Sequence, residues 1–121
     1  MNKYEKYKEL INRTNKFTAT VVIDRPLYSF HPKFKYEYPL NYGYIDQILA
    51  PDDQFVDAYI IGENLPLKIF TGEVIAIIRR KTDVEDKLVV CDPNKYYNKE
   101  EILQLVYFQE QYFDHKILMM K

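Results

Sequence analysis

The order of apolar and polar positions along the chain predicts several short strands between two helices. Polar Asn2 precedes apolar residues at roughly helical spacing, which predicts a short first helix capped by Asn2. Threonine and valine dominate residues 17–23, as is typical of a strand. The same reasoning predicts loops or turns at 31–35, 51–53 and 82–86, and further strands at 36–38, 42–44, 55–61, 72–80 and 88–91.

The last predicted element is a helix that packs on the strands. Asn98 followed by Glu101 fits a capping box at its start. Its predicted apolar stripe consists of Ile102, Leu105, Val106, Tyr112 and Phe113. Short strands with one such helix favour a mainly β (α+β) fold, in which a small barrel carries the helix on its outside.

Composition narrows the classes of function. The 121 residues allow a single domain, 1–121, and a net charge of −1 leaves no excess positive field for nucleic acid. The longest aliphatic run, residues 74–78, is too short for a membrane span, and residues 1–8 lack the apolar core of a signal peptide. The single Cys91 forms no disulfide framework. We therefore expect a cytoplasmic protein with no membrane or nucleic-acid partner.

Two acidic clusters, residues 52–57 and 83–86, lie on predicted turns. Mg²⁺ prefers such carboxylate oxygens, although acidic residues also populate turns simply because they are soluble there. Asp57 is the more informative position because it falls within an apolar run, where a charge is costly without a partner. Strand alternation that points Asp57 to solvent is the alternative.

Arg25 and Lys87 are the cations best suited by type to bind phosphate, and ordinary surface charges are the alternative. Three glycines exclude a Walker A loop and a dinucleotide fingerprint, so side chains and metal must hold any phosphate. The twelve tyrosines are interpreted as core and rim residues, with a stacking platform for single-stranded nucleic acid as the alternative. His31 and His115 do not have zinc-site spacing.

Four segments carry a family resemblance: VIDR at 22–25, YPLNYGYI at 38–45, LAPDDQFVDA at 49–58 and EDKLVV at 85–90. In this order they resemble the core of the soluble family I inorganic pyrophosphatases, over roughly residues 20–113. The resemblance implies a small closed five-stranded OB-like β-barrel with a C-terminal helix packed on it. It also implies a Mg²⁺-dependent hydrolase, with Mn²⁺ as the alternative ion, that splits pyrophosphate into two phosphates.

The resemblance also implies roles for individual residues. Phosphate-binding positions are Arg25, Tyr38, Lys87 and Tyr112, with Lys33 and His31 in an insertion at 29–35 that partly replaces lost cations. Catalytic positions are Tyr42, Asp57 and Gln54. Metal-binding positions are Asp52, Asp57, Asp83 and Glu85.

Three departures from the family pattern keep other functions open. Gln54 stands in place of the middle signature aspartate, Phe113 in place of a lysine, and Glu85 in place of an aspartate. Fewer anionic ligands weaken the binding of several metal ions. The alternatives are a catalytically weakened or inactive module that binds a nucleotide or another small phosphate compound, and a protein-interaction barrel with a dead site. Homo-oligomerisation stays open.

Overall fold

The structure is a computed structural model that describes residues 2–81 and 85–121. In these ranges the chain forms two helices and six strands, in the order α1 (Lys3–Ile11), β1 (Phe17–Arg25), β2 (Asn41–Leu49), β3 (Phe55–Ile60), β4 (Ile69–Arg80), β5 (Lys87–Cys91), α2 (Lys99–Glu110) and β6 (His115–Met119). Both predicted caps are present: Asn2 accepts from the backbone N–H of Glu5, and Asn98 and Glu101 form a capping box.

The sheet closes into a barrel. Its strand order is β1-β2-β3-β5-β4, and β1 pairs back onto β4, so each of these five strands has two neighbours. Strand β3 is parallel to β5, and the other pairs are antiparallel. Strand β6 continues the edge of β4 at residues 76–80, beyond the part that pairs with β1. A closed five-stranded barrel with an added strand and the α2 helix confirms the predicted fold.

Alternate strand residues build two separate cores. One cluster takes residues from every barrel strand and fills the interior, where α1 adds Tyr7 and Leu10; it includes Val21, Ile45, Ala58, Ile77 and Leu88. The second cluster lies on the outer face of the barrel beneath α2, and it joins Tyr59, Ile78 and Val89 to Ile102 and Val106. This outer face matters for the site because it also carries the polar residues described below.

Gly43 permits the close approach of β1 and β2. A Cβ atom at this position would lie 1.9 Å from the carbonyl oxygen of Val22, so any side chain would push the strands apart. Gly43 therefore explains why a glycine stands between Tyr42 and Tyr44 in the motif, and it sets the position of both tyrosines on β2.

Asn41 anchors the long β1–β2 loop, residues 26–40. It is fully buried, and its Oδ1 accepts from the backbone N–H groups of Leu27 and Leu67 at 3.0 Å each. Its Nδ2 donates to the carbonyl of Leu65 at 2.9 Å. Because burying an unpaired amide is costly, these three bonds tie the loop firmly to the segment before β4.

The structure differs from the predicted pattern at the C-terminal end of α2, after it, and in the β1–β2 loop. The helix ends at Glu110, so Tyr112 and Phe113 lie beyond it, and Leu105 is exposed. The buried stripe runs through Gln109 and Glu110 instead. Because these two residues are polar, the spacing of apolar residues does not reveal that they are buried. Strand β6 was not predicted, and residues 36–38 form one isolated bridge rather than a strand.

Of the helices in the described ranges, none is long and apolar enough to cross a lipid bilayer.

Candidate functional site

Strand register brings the central polar residues together on the outer face of the barrel. Asp57 on β3 pairs directly with Lys87 on β5, and Tyr42 pairs with Tyr59, two residues from Asp57 on the same face. Helix α2 covers the apolar part of this face at Tyr59. Beyond the end of α2 the face is polar and opens into a cavity lined by Tyr112 and Phe113.

Asp57, Lys87, Tyr42 and Glu85 form a network that we call the outer network. Asp57 Oδ2 accepts from Lys87 Nζ and from the Tyr42 hydroxyl, both at 2.8 Å. Lys87 Nζ also donates to Glu85 Oε2 at 3.2 Å, and only 4% of its side chain is exposed. Asp57 keeps 35% exposure, and its second oxygen accepts no hydrogen bond from the described residues. One carboxylate oxygen is thus oriented while the other remains open to a ligand.

Burial together with the charge of Asp57 raises the pKa of Tyr42 well above its usual value. The phenol therefore stays protonated and keeps donating to Asp57. Burial also raises the pKa of Asp24, and the charge of Asp57 adds to the effect, while Arg25 opposes it. The carboxylates of Asp24 and Asp57 are thus close enough to repel each other electrostatically.

A larger cavity, about 800 Å³ in volume, opens on one side of the outer network. Its charged lining residues are Asp24, Arg25, Asp57, Arg80, Glu85 and Lys87. The rest of its wall consists of Gln109 and of the rings of His31, Phe34, Tyr36, Tyr38, Tyr42, Tyr112 and Phe113. Four residues predicted to bind phosphate, Arg25, Tyr38, Lys87 and Tyr112, thus meet at one cavity. Lys33 does not line it; its ammonium lies over the Phe34 ring, 5.3 Å from the centroid.

A smaller cavity of about 380 Å³ also borders the outer network and shares Asp24, Asp57, Glu85 and Lys87 with the larger one. Asp52 and Gln54 also line it, so the described residues predicted to bind metal meet here. Asp52 is exposed and accepts a hydrogen bond from the backbone N–H of Gln54 at 3.1 Å. Asp83 lies outside the described residues. The two predicted sets, for phosphate and for metal, therefore face each other across Asp57 and Lys87.

A second network, which we call the buried network, joins Arg80, Glu110, Tyr59 and Gln109, and it borders the larger cavity through Arg80 and Gln109. Arg80 donates to both oxygens of Glu110, at 3.1 and 2.8 Å, and Tyr59 donates at 2.6 Å. Burial alone would lower the pKa of Arg80, but hydrogen bonds to Glu110 and its charge raise it. Arg80 also reaches Glu85 at 3.4 Å, and its guanidinium stacks 3.6 Å from the Phe113 ring centroid.

Sequence reasoning missed Asp24, Arg80, Gln109 and Glu110. The available signal for Glu110 was its place eight residues after Ile102, on the buried face of a helix. A carboxylate on such a face requires a buried partner, and this partner is Arg80 at the end of β4. Phe113, where a lysine was expected, is the ring against which Arg80 stacks. A cation is therefore present beside the position at which the sequence indicated a loss.

The donors around the smaller cavity fit Mg²⁺ only in a shared site. Carboxylate and amide oxygens are the hard ligands this ion prefers. In residues 2–81 and 85–121, however, no three His, Cys, Asp or Glu residues converge to hold a metal. Mg²⁺ is commonly held by one or two carboxylates together with phosphate oxygens, rather than by a cage of protein ligands. Asp57 and Glu85, both partly exposed at the edge of the two cavities, can act in this manner.

A closed five-stranded barrel whose outer face joins a cavity of mixed charge and aromatic rings to a carboxylate-lined one defines the class of protein as an OB-like barrel with a polar site on its outer face. Comparison with known sequences agrees with this class: a sequence model of the inorganic pyrophosphatase family matches residues 1–118. The chain belongs to the inorganic pyrophosphatase family.

An inorganic pyrophosphatase of Corynebacterium glutamicum is 30% identical over 103 residues, which is 81% of this chain. The chain spans 62% of the length of that relative. The crystal structure of inorganic pyrophosphatase from Ehrlichia chaffeensis superposes with a TM-score of 0.63 at 15% identity, covering 87% of this chain and 85% of that one. A structure from Neisseria gonorrhoeae gives 0.58 at 21% identity, covering 78% and 73%. At these identities the two structures support the fold.

Proposed function

We propose that this protein is a Mg²⁺-dependent phosphohydrolase that cleaves a phosphoric anhydride, with pyrophosphate as the simplest substrate. The observation that carries the proposal is the position of Asp57. Its carboxylate is oriented by Lys87 and Tyr42, lines both the larger cavity, which holds three cations, and the carboxylate-lined smaller one, and keeps one oxygen open. Family membership supports the same reaction class.

In this proposal the larger cavity binds the phosphates. Lys87 and Arg25 provide charge, and the exposed Tyr112 hydroxyl provides a further donor at the rim. The open oxygen of Asp57 accepts the proton of the attacking water, while Tyr42 and Lys87 hold the carboxylate in place. Gln54, exposed in the smaller cavity, hydrogen-bonds water but does not accept a proton near neutral pH.

The charges in the larger cavity explain the need for a divalent cation. Among the described lining residues, three carboxylates balance three cations. A pyrophosphate anion therefore meets no net positive charge from these side chains. Glu85 and Asp52 would hold Mg²⁺ together with phosphate oxygens, which would leave the open oxygen of Asp57 to the attacking water. Bound there, the ion would neutralise phosphate charge and lower the pKa of a bound water.

Phosphate release from pyrophosphate, measured with and without Mg²⁺, tests the reaction. Asp57→Asn should reduce the initial rate by about a hundredfold, which is the lower range for loss of a general base. Asp46→Asn, an exposed aspartate on β2 that lines neither cavity, is the matched control and should keep the wild-type rate. Equal rates in wild type and Asp57→Asn would refute the assigned role.

The shared metal site is tested by thermal unfolding. Mg²⁺ alone should raise the melting temperature little, because the described residues provide no converged ligand set. Mg²⁺ with the non-hydrolysable analogue methylenediphosphonate should raise it by more than the sum of the two separate effects. A full shift with Mg²⁺ alone would point to a resident metal site instead.

The alternative is a binding module of low turnover on the same barrel. Gln54 supports it, because an amide replaces a carboxylate where the family resemblance places one beside the attacking water. The two functions separate experimentally, since a binding module would show the cooperative thermal shift without phosphate release.

A further inference from the structure

The larger cavity is larger than an inorganic phosphate or pyrophosphate would fill. Its volume of about 800 Å³ lies toward the upper end of the range for small-molecule sites, roughly 300–1,000 Å³. Only part of its wall carries charge, and the remainder is aromatic except for Gln109. Pyrophosphate has no apolar surface with which to cover such a wall.

The aromatic wall is a continuous series of rings that begins at the outer network. Tyr42, whose hydroxyl contacts Asp57, lies 5.6 Å from the Tyr38 ring, and Tyr38 stacks on His31 at 6.3 Å with an interplanar angle of 14°. Phe34 follows, 5.0 Å from His31. The cavity thus runs from charged groups to stacked rings, which suits a ligand that has a phosphate at one end and a planar group at the other.

Two of the lining rings are left largely in water. Phe34 is 65% exposed and Tyr112 is 69% exposed. Aromatic rings of this kind bind planar groups by stacking, and a nucleobase stacked on a protein ring gains substantial affinity whatever its identity.

His31 adds a polar edge to this end of the cavity. Its Nδ1 accepts from the backbone N–H groups of Lys33 and Phe34, at 3.1 and 3.0 Å. Nδ1 acceptance places the ring proton of the neutral form on Nε2, which donates to no described residue. Burial, with the nearby charges of Arg25 and Lys33, lowers the pKa of His31 and favours the neutral ring. A carbonyl or ring nitrogen of a base can accept from this Nε2–H.

We infer that the larger cavity binds a nucleoside phosphate, with its phosphates at Arg25 and Lys87 and its base against Phe34, His31 and Tyr112. This inference rests on the proposed function, because it uses the same phosphate-binding end of the site. It makes a nucleoside polyphosphate the preferred substrate class and pyrophosphate the smaller, weaker ligand.

The experiment compares two non-hydrolysable ligands that differ by a nucleoside: methylenediphosphonate and α,β-methylene-ADP. Their dissociation constants are measured by calorimetry with Mg²⁺ present, for wild type, Phe34→Leu and Phe30→Leu. Phe30 is the matched control because it is 63% exposed in the same loop but does not line the cavity. Leucine keeps the apolar character at an exposed position and removes the planar ring.

Wild type should bind α,β-methylene-ADP about tenfold more tightly than methylenediphosphonate, and Phe34→Leu should remove most of this preference. Phe30→Leu should keep it, and affinity for methylenediphosphonate should be the same in all three proteins. Equal affinity of wild type for both ligands would overturn the inference and leave the proposed function intact. A preference unchanged in Phe34→Leu, or equal weakening of both ligands, would also overturn it. Binding of neither ligand would overturn the proposed function as well.

Discussion

The two polar networks on the outer face use the same kinds of groups in opposite ways. In the buried network Glu110 is 0% exposed, and both of its oxygens are hydrogen-bonded, to Arg80 and Tyr59. In the outer network Asp57 is partly exposed and offers one oxygen to solvent. A carboxylate whose hydrogen-bonding capacity is filled contributes to structure, whereas one oriented on a single side is available for chemistry.

The positions of the two networks support this difference between a structural role and a chemical one. Arg80 contacts Glu110 on one side and Glu85 on the other, and the Tyr42 ring lies 5.0 Å from the Tyr59 ring. The buried network therefore supports the outer one from behind. Loss of the first should mainly reduce stability, and loss of the second should mainly reduce ligand binding and turnover.

Glu110→Gln should have the largest effect on stability. It removes the charge that compensates the buried Arg80 guanidinium, and breaking a buried pair in this manner costs about 3 kcal/mol. Denaturant unfolding measures the change. Glu100→Gln, an exposed carboxylate at the start of the same helix, should cost about 0.5 kcal/mol. A Glu110→Gln protein as stable as wild type would remove the structural role from this pair.

Lys87→Met should lower the free energy of unfolding by less, about 1.5 kcal/mol. The carboxylates it leaves behind, Asp57 and Glu85, are 35% and 43% exposed and can be hydrated. Affinity for methylenediphosphonate should fall by about tenfold or more, because a charge-assisted hydrogen bond is lost. If Lys87→Met were as destabilising as Glu110→Gln without weakening the ligand, the two networks would not differ in role.

Tyr42→Phe should cost about 1 kcal/mol near neutral pH, the usual value of one hydrogen bond. It should also change how the free energy of unfolding depends on pH in the alkaline range. Because the folded-state pKa of Tyr42 is raised, its contribution is fully present below the ordinary tyrosine pKa of 10.0 and is lost as pH rises above it.

Above pH 10 the free energy of unfolding of Tyr42→Phe should therefore fall less steeply with pH than that of wild type. The two slopes should differ by about 1.4 kcal/mol per pH unit. Denaturant unfolding between pH 9 and 11 measures the slope. Tyr28→Phe, an exposed tyrosine that lines neither larger nor smaller cavity, should leave the slope unchanged. Identical slopes in wild type and Tyr42→Phe would contradict the raised pKa.

Gln54→Asp should have the smallest effect, an increase in pyrophosphate turnover on the order of threefold. The change adds an anionic oxygen to the smaller cavity, but the exposed position and the shorter side chain keep the gain far below that of a well-placed general base, about 10²–10⁴. Gln47→Asp, on the exposed face of β2, is the control. No gain in rate or in Mg²⁺ affinity would mean that Gln54 does not face the metal.

Local sequence patterns predicted the elements that rest on local chemistry. The caps at Asn2 and Asn98 are bonds between residues three apart, so they can be recognised without the rest of the chain. The strands carried threonine and valine or long apolar runs. The strand prediction for residues 36–38 was wrong because alternation of tyrosine and polar residues does not distinguish a strand from a loop that contains one isolated β-bridge.

The candidate site could be predicted in part. Asp57 was recognised because a carboxylate in an apolar run requires a partner, and that partner is Lys87. Lys33 was selected by charge within the loop, but it does not line the larger cavity. The exposed rings of Phe34 and Tyr112 gave no signal of a shared wall, because they lie far apart in sequence and meet only through folding.

By itself, the sequence determined the class of fold, the caps, the loop at 31–35, the turn at 51–53 and the residue types available for phosphate and metal, while the turn predicted at 82–86 lies largely outside the described residues. These follow from local propensity and from the low tolerance for charge within apolar strands. Only the tertiary structure decided which of the two networks is closed to solvent and which is open to a ligand. Whether a carboxylate is closed off, as Glu110 is by Arg80, or left half open, as Asp57 is beside Lys87, depends on strand register and on where α2 ends. Such pairings join residues 30 positions apart, and a linear pattern does not contain their geometry.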